Sequence, residues 1–156
     1  MISFDYTTGE STWITPPQIQ QALGHFDLDP CAADDMPYRT ADRMVTKDED
    51  GLKVDWTGKR VWLNPPYGKW IVPFLQRMRL GVALLPCRTD TGWFHDLVLL
   101  RCHSILFVRG RIKFIAKDLR KCNSPAFASI LVSYSKEDTD TLRNSNIQGK
   151  LLIPYQ

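Results

Sequence analysis

The sequence predicts an α/β protein, a three-layer sandwich whose sheet is mostly parallel, with antiparallel strands added near its end. Short apolar runs alternate with segments whose apolar residues recur at helical spacing, which is the pattern of strand–helix–strand units. The run Val82–Pro86 is apolar at every position, as expected of a strand buried on both faces of a parallel sheet. Two further runs, on either side of Arg109 and Gly110, have the form of a late hairpin.

The length of 156 residues is enough to bury one substantial core. We therefore expect a single domain over residues 1–156, with residues 1–12 as a loosely ordered arm. No apolar stretch approaches the length of a membrane span, and the N-terminus lacks the regions of a signal peptide. The four cysteines are scattered, without the paired spacing of a zinc site. These features predict a cytoplasmic protein with reduced thiols, no metal and no membrane partner.

Charge is unevenly distributed along the chain. Residues 1–60 hold six Lys or Arg against eleven Asp or Glu, whereas residues 61–156 hold fourteen against six. The second part contains a dense basic stretch that consists of Arg101, Arg109, Arg111, Lys113, Lys117, Arg120 and Lys121. Such asymmetry is typical of a surface that contacts nucleic-acid phosphates, although solvated faces also carry runs of this kind.

The first predicted elements are a helix and a strand. Thr15 is a good N-cap and Pro16 suits the start of a helix, so we expect a helix that ends at Gly24. Phe26–Pro30 is then predicted as the first strand, because apolar residues alternate along it. Asp29 lies at its carboxyl end.

A polar turn follows the strand predicted at residues 61–63. Pro65 and Pro66 must end this strand, because proline has no N–H to give a neighbouring strand. Asn64 therefore lies at a carboxyl end, where open α/β sheets place their ligands. The Asn64 side-chain oxygen and the Pro65 carbonyl are two acceptors beside the flat ring of Tyr67, a set that suits a planar group carrying an NH2. The alternative is a plain Asn-Pro turn with a core tyrosine.

The elements after this turn complete the predicted sheet. A helix is expected after the turn, because apolar residues recur there at helical spacing: Trp70, Ile71, Phe74, Leu75 and Met78. The loop of residues 87–91 follows a buried strand and should lie at the same sheet edge as Asn64. Ser129–Tyr134 is a further strand. Leu151–Ile153 is predicted as a last edge strand or as a contact in a possible homodimer.

The tetrapeptide Asn64-Pro65-Pro66-Tyr67 is also the signature of amino-directed methyltransferases that use S-adenosylmethionine. Further motifs recur in the family's order: Trp13-Ile14-Thr15-Pro16, Phe26-Asp27-Leu28-Asp29-Pro30-Cys31-Ala32, Asp50-Gly51-Leu52, Leu84-Leu85-Pro86 with Arg88-Thr89-Asp90-Thr91, and Gly110-Arg111-Ile112-Lys113-Phe114. Over residues 11–134 the chain thus resembles the short phage-type DNA adenine-N6 methyltransferases, the phage Dam family. The resemblance implies a Rossmann-like S-adenosylmethionine-dependent methyltransferase fold, acting in the host cytoplasm if phage-encoded. At 156 residues, we expect no separate target-recognition domain.

The resemblance also implies a function and a site. The function is methyl transfer from S-adenosylmethionine to the N6 amine of adenine in DNA, with the base flipped into a pocket at the Asn64 turn. The implied catalytic residues are Asn64, Pro65, Pro66 and Tyr67; the cofactor residues are Thr15, Pro16, Asp29, Pro30, Cys31, Ala32 and Asp50; the DNA-binding residues are Arg88, Arg109, Arg111 and Lys113. The sequence departs from most methyltransferases after Asp29, where Cys31-Ala32-Ala33 replaces the usual glycines.

Two other functions fit the same signature. Methyltransferases that act on glutamine side chains of release factors carry the tetrapeptide too, because an amide NH2 poses the same chemical problem. A catalytically inactive DNA-binding relative would retain the fold and lose the cofactor, and the missing glycines are in keeping with that alternative. The basic second half of the chain and the phage-type motifs favour DNA methylation.

Overall fold

A computed structural model describes residues 14–115, 122–123 and 126–154 of the chain. The arm predicted at residues 1–12 and the basic residues Lys117, Arg120 and Lys121 lie outside the described residues. The helices of the described part are α1 (Pro17–Ala22), α2 (Ile71–Arg77) and α3 (Lys136–Asn144), with a 3-10 turn at Gly68–Trp70 and a π-helical segment at Phe94–Leu99. The strands are β1 (Leu28–Asp29), β2 (Arg43–Met44), β3 (Val61–Leu63), β4 (Gly81–Pro86), β5 (Ser104–Val108), β6 (Phe114–Ile115), β7 (Cys122–Asn123), β8 (Ser129–Ser133) and β9 (Gly149–Leu152).

Seven of the strands form one mixed sheet in the order β2-β1-β3-β4-β8-β5-β9. Strands β2, β1, β3 and β4 run parallel to one another. Strand β8 is antiparallel to both β4 and β5, so β4 and β5 run in the same direction. Strand β9 is antiparallel to β5 and forms the last edge. The predicted α/β class and the late antiparallel strands are confirmed, as is an edge strand near the C-terminus; its role in a homodimer stays a prediction.

Two apolar clusters lie on the two faces of this sheet. In β3 and β4, Leu63 and Leu85 belong to one cluster, and Trp62 and Leu84 belong to the other. Alternate residues of a strand point to opposite faces, so the central strands are buried on both sides. Helix α2 packs its apolar residues into the first cluster, whereas α1 and α3 border the second. This arrangement gives the layered architecture expected from the uniformly apolar fourth strand.

Two predicted details of the fold are wrong. Thr15 is not the N-cap of α1, because Pro16 holds that position without a side-chain cap. The hairpin around Gly110 does not form: β5 pairs with β8 and β9 on its two edges, and β6 pairs with β7. Trp70, the first residue of the helical repeat after the Asn64 turn, is 41% exposed. It ends the 3-10 turn before α2 begins, so it lies off the buried stripe of that helix.

An ion pair ties the sheet to α3 at the edge where the parallel strands begin. The Arg60 Nε atom lies 2.7 Å from Asp138 Oδ1, and Asp138 is almost completely buried. The other carboxylate oxygen accepts a hydrogen bond from the Gly81 N–H at 2.9 Å. The side chain of Ser135 caps α3 by accepting from the Asp138 N–H at 3.0 Å. The buried carboxylate is tolerated here because both of its oxygens have partners.

Arg101 belongs to the same edge, since it lies just before β5. Its guanidinium donates to the carbonyls of Leu75 and Met78 at 3.2 and 2.8 Å. It therefore satisfies carbonyl groups at the carboxyl end of α2. Across the described residues, no helix is long and apolar enough to cross a membrane.

Candidate active site

Residues from four strands meet at one edge of the sheet. Strands β1, β3, β4 and β5 run in the same direction, so their carboxyl ends lie side by side. Asp29 ends β1, Asn64 follows β3, Arg88 follows β4 by two residues, and Arg109 follows β5. Side chains that are far apart in the sequence are thus brought to a common rim, which is the position of ligand sites in open α/β sheets.

Asn64 is held by Thr15. The Asn64 side-chain NH2 donates to Thr15 Oγ1 at 3.3 Å. Thr15 is buried, and its own carbonyl accepts from the Tyr38 hydroxyl at 2.6 Å. Because the nitrogen of the amide is directed at Thr15, its oxygen Oδ1 is directed away from Thr15. The next carbonyl acceptor, that of Pro65, belongs to a buried residue immediately after Asn64 in the chain.

Tyr67 lies against an aromatic side chain from a distant part of the sequence. Its ring centroid is 5.3 Å from that of Phe127, and the two ring planes make an angle of 70°. Both residues are half-buried. Phe127 reaches this edge because β8 is antiparallel: that strand begins where its parallel neighbours end. An edge-to-face contact of this kind limits how the Tyr67 ring can tilt.

Asp29 is a buried carboxylate with protein partners on both oxygens. Oδ1 accepts from the Cys31 N–H at 3.0 Å, and Oδ2 accepts from the Thr40 hydroxyl. Burial raises the pKa of Asp29 to about 6, and the hydrogen bonds from Thr40 and Cys31 oppose that rise. A carboxylate has about four lone-pair sites, so each oxygen can accept one more hydrogen bond. Buried acids with a raised pKa are concentrated at functional sites.

Asp50 is brought close to Asp29 through the loop after β1. A Cβ atom added to Gly51 would lie 1.8 Å from the Pro30 carbonyl oxygen, so only glycine fits this approach. The pKa of the Cys31 thiol is raised by burial and by the negative charges of Asp29 and Asp50, which places that thiol near both acids. The implied cofactor residues on these two loops are therefore neighbours.

The conformation of Asp50 is unusual. Its φ is 61°, in the left-handed region, where Asp is one of the few tolerated residues. Its Oδ1 accepts from the Leu52 N–H at 3.1 Å, and its Oδ2 is 3.3 Å from Lys53 Nζ. The Leu52 N–H and then the Lys53 ammonium lower the pKa of Asp50. Unlike Asp29, Asp50 is partly exposed. Its lowered pKa keeps it negatively charged at neutral pH.

Basic side chains lie at the same rim. Arg109, Arg111 and Lys113 are exposed, whereas Ile112 between them is buried. The segment continues into Ile115, whose backbone pairs with that of Ile14 through two hydrogen bonds of 2.9 Å. The basic segment is thereby attached to the residue that precedes Thr15.

Arg88 is part of an exposed ion pair at this rim. Its Nε and one terminal nitrogen each lie 3.1 Å from an oxygen of Asp90. Both side chains are more than half exposed, so the pair contributes little to stability. To make the predicted DNA contact, the Arg88 guanidinium would have to bind a phosphate in place of the Asp90 carboxylate or in addition to it.

A family model described as "DNA N-6-adenine-methyltransferase (Dam)" matches residues 6–150 of the chain. The chain belongs to this family. The protein named "DNA N-6-adenine-methyltransferase" of Haemophilus phage HP1 (strain HP1c1) is 33% identical over 100 residues. The match spans 58% of this chain and 55% of the phage protein, so the chain covers about half of that relative's length. No solved structure matches the chain.

Membership of the Dam family confirms the resemblance drawn from the motifs. The structure adds partners that the sequence does not single out: Thr40 on Asp29, Tyr38 on Thr15, and Phe127 on Tyr67. Thr40 and Tyr38 lie in a segment without apolar periodicity, where no sequence signal marks them. Phe127 is an aromatic residue just before a predicted strand, and only the antiparallel direction of that strand brings it to the rim.

One group of metal-ligand side chains converges elsewhere in the described part of the Dam-family chain. Atoms of His25, Asp27 and Asp42 lie within 4.8 Å of one another. They precede β1 and β2, so they lie at the opposite edge of the sheet from Asn64. His25 is 2.8 Å from Asp42, and Asp27 accepts from the Arg60 N–H at 2.7 Å. These contacts hold the amino ends of the strands together, and we assign no metal to the group.

Proposed function

We propose that this Dam-family chain transfers a methyl group from S-adenosylmethionine to the N6 amine of adenine in DNA. The observation that carries the proposal is the orientation of the Asn64 amide by Thr15 at the sheet edge that also holds Asp29. A fixed acceptor at this place suits an NH2 group on a planar base. Membership of the family supports the substrate class. The parallel order of β2, β1, β3 and β4 supports a Rossmann-like version of the fold.

The residues present fit the methyl donor. S-adenosylmethionine carries an ammonium group and ribose hydroxyls, which pair with carboxylates. Asp29 is buried with spare acceptor capacity, and Asp50 is partly exposed and negatively charged, with the small residues Cys31 and Ala32 alongside. We assign the ammonium to Asp29 and the ribose to Asp50, with Thr15, Pro16 and Pro30 lining the site. When bound, S-adenosylmethionine supplies an electrophilic methyl group on its sulfonium.

Asn64 and Pro65 act on the nucleophile. The N6 lone pair of adenine is delocalised into the ring, which makes the amine a weak nucleophile. In our proposal Asn64 Oδ1 and the Pro65 carbonyl each accept one N6 hydrogen, which helps to localise the lone pair away from the ring. The hydrogen bonds to these acceptors become stronger as N6 becomes positively charged. They therefore stabilise the transition state more than they stabilise the bound base. Because Thr15 fixes the amide beforehand, Asn64 needs no reorganisation during the reaction.

Tyr67 holds the base. A base within a duplex cannot reach a site at the end of a buried strand, so the adenine must leave the stack. We propose that the Tyr67 ring stacks on the flipped base, with Pro66 fixing the turn that presents it. The edge-on contact with Phe127 keeps the Tyr67 ring in one tilt. The exposed cations of Arg88, Arg109, Arg111 and Lys113 would contact the phosphates around the flipped nucleotide.

Methyl transfer from tritiated S-adenosylmethionine tests the proposal. Adenine-containing duplex DNA is compared with the same duplex in which every adenine is replaced by purine, which lacks the N6 amine. A release-factor protein is the third substrate. We expect label in the adenine duplex alone, with N6-methyladenine after digestion. Label in the protein would support the glutamine alternative. Binding of DNA without binding of S-adenosylmethionine would support the inactive relative.

A further inference from the structure

The turn after Tyr67 carries an exposed aromatic side chain beside a cation. Trp70 is 41% exposed. The other large apolar side chains that are exposed among the described residues are aliphatic: Leu100, Leu152 and Ile153. The Lys69 Nζ atom lies over its ring, 5.4 Å from the ring centroid. That distance is within the range of a cation–π contact. An exposed aromatic ring beside a cation offers a flat apolar surface for stacking together with a positive charge.

The position of this pair relative to Asn64 follows from the topology. Residues 64–67 leave the carboxyl end of β3, and the 3-10 turn Gly68–Trp70 follows at once. Helix α2 then runs back, because its carboxyl end accepts hydrogen bonds from Arg101 at the opposite edge of the sheet. The turn therefore lies at the rim where the base is proposed to bind. Gly68 has a φ of 84°, which a residue with a side chain rarely adopts, so the turn has a defined shape.

We infer that Lys69 and Trp70 form a second DNA contact, in which Trp70 stacks on a base left unstacked by flipping and Lys69 binds its phosphate. The inference rests on the proposed function, because flipping creates the unstacked base. Aromatic rings that stack on bases beside cations that follow the backbone are the usual means of binding unpaired nucleotides. The net positive charge of residues 61–156 favours the same partner over an apolar protein surface.

The test compares Trp70→Ala and Trp70→Phe with a matched control. Leu100→Ala removes another exposed apolar side chain, 72% exposed, from the segment that precedes β5 at the opposite edge. Affinity is measured by fluorescence anisotropy with a labelled duplex in which one adenine is mismatched, so that the adenine flips readily and the opposing base remains present. We expect Trp70→Ala to weaken binding about fivefold or more, the lower range for loss of one stacked base. Trp70→Phe should retain most of the affinity, and Leu100→Ala should match the wild type.

The cation is tested separately with Lys69→Gln against Lys59→Gln. Lys59 is also exposed, but it precedes β3 at the opposite edge. Loss of one phosphate contact should reduce the slope of log affinity against log salt by about one for Lys69→Gln only. Equal affinity of Trp70→Ala and wild type, or equal slopes for the two lysine variants, would overturn the inference. Wild-type methylation in the tritium assay is read independently, so failure of the methylation proposal is distinguishable from failure of this contact.

Discussion

The side-chain nitrogen of Asn64 lies 3.3 Å from the hydroxyl oxygen of Thr15, a residue 49 positions earlier in the chain. This contact joins the segment before α1 to the turn after β3 and directs the amide oxygen away from Thr15. Thr15 is buried, so the hydrogen bond is shielded from water. Thr15 lies one residue before the N-cap of α1, and its hydroxyl contacts Asn64 rather than the first turn of that helix.

Asn64→Ala should lower the rate of methyl transfer far more than the affinity for either ligand. The hydrogen bond from N6 to the Asn64 side-chain oxygen is proposed to become stronger as positive charge develops on N6. An interaction that is stronger in the transition state raises the rate of the chemical step. Removal of one preorganised polar group costs roughly 2.7–4 kcal/mol, or about 10²–10³ in rate. Single-turnover methylation of adenine-containing DNA measures the rate, and calorimetry measures the binding of S-adenosylmethionine. Full activity of Asn64→Ala would show that this residue only forms the turn.

Thr15→Val should lower the single-turnover rate by up to about tenfold, since one hydrogen bond contributes roughly 0.5–1.5 kcal/mol. Valine has nearly the shape of threonine but cannot accept from the Asn64 amide, which becomes free to rotate. Thr15→Ser is the matched control, because it retains the hydroxyl and should retain most of the rate. If Thr15→Val instead weakened cofactor binding at an unchanged saturated rate, Thr15 would act on the cofactor and not on Asn64.

Asp29→Asn should weaken binding of S-adenosylmethionine and yet stabilise the fold at neutral pH. The pKa of Asp29 is about 6 in the folded chain, against an ordinary value of 3.8. The folded state therefore binds more protons than the unfolded state between about pH 4 and 6, and wild-type stability falls as the pH rises through that window. Above pH 6 the buried charge costs on the order of 2–3 kcal/mol. The neutral amide of the Asp29→Asn variant carries no such cost.

Urea unfolding of the Asp29→Asn variant and the wild type at several pH values checks this. The stability difference should be largest above about pH 6 and smallest below pH 3.8, where Asp29 becomes protonated in both states. Calorimetry at about pH 7.5 should show an affinity loss of about tenfold or more, since hydrogen bonds to charged groups contribute roughly 1.5–3 kcal/mol. A difference in stability that does not depend on pH would contradict the assignment of the raised pKa to Asp29.

Tyr67→Phe and Tyr67→Ala should differ sharply. Phenylalanine retains the flat face and should retain much of the turnover. Alanine removes the stacking partner, worth roughly 1–3 kcal/mol per base, and should lose most turnover through weaker capture of the base. Turnover of adenine-containing DNA by the two variants is the measurement. Equal activity of the two variants would exclude stacking by Tyr67.

The parts of the fold that are predictable from the sequence are those with strong local signals. The apolar run of β4 and the Pro65-Pro66 stop after β3 need no knowledge of distant residues. Helix α3 has no apolar stripe to predict it, although Ser135 caps its first turn, because its buried face includes polar residues such as Asp138 and Thr139. The Gly110 turn resembles a hairpin because the sequence cannot show that both edges of β5 are taken by later strands.

In the candidate site, too, the positions of the residues are predictable from the sequence, whereas their contacts are not. Asp29, Asn64 and Arg109 are predicted to lie at strand ends, and a parallel sheet brings strand ends together whatever lies between them. The contacts that orient them are not predictable. Asn64 contacts Thr15, and Tyr67 contacts Phe127, only because segments that are remote in the sequence pack together. Local patterns carry no information on such pairs.

Charge neutralisation of the rim is the remaining test of DNA binding. Arg111→Gln with Lys113→Gln should flatten the slope of log affinity against log salt by about one to two, because each phosphate contact releases counterions. Arg101→Gln is the contrasting variant: it should leave the slope unchanged but lower stability, since its guanidinium holds the Leu75 and Met78 carbonyls. Anisotropy titrations at several salt concentrations give the slopes, and urea unfolding gives the stabilities. A wild-type slope in the double variant would mean that residues 111–113 form only a solvated face.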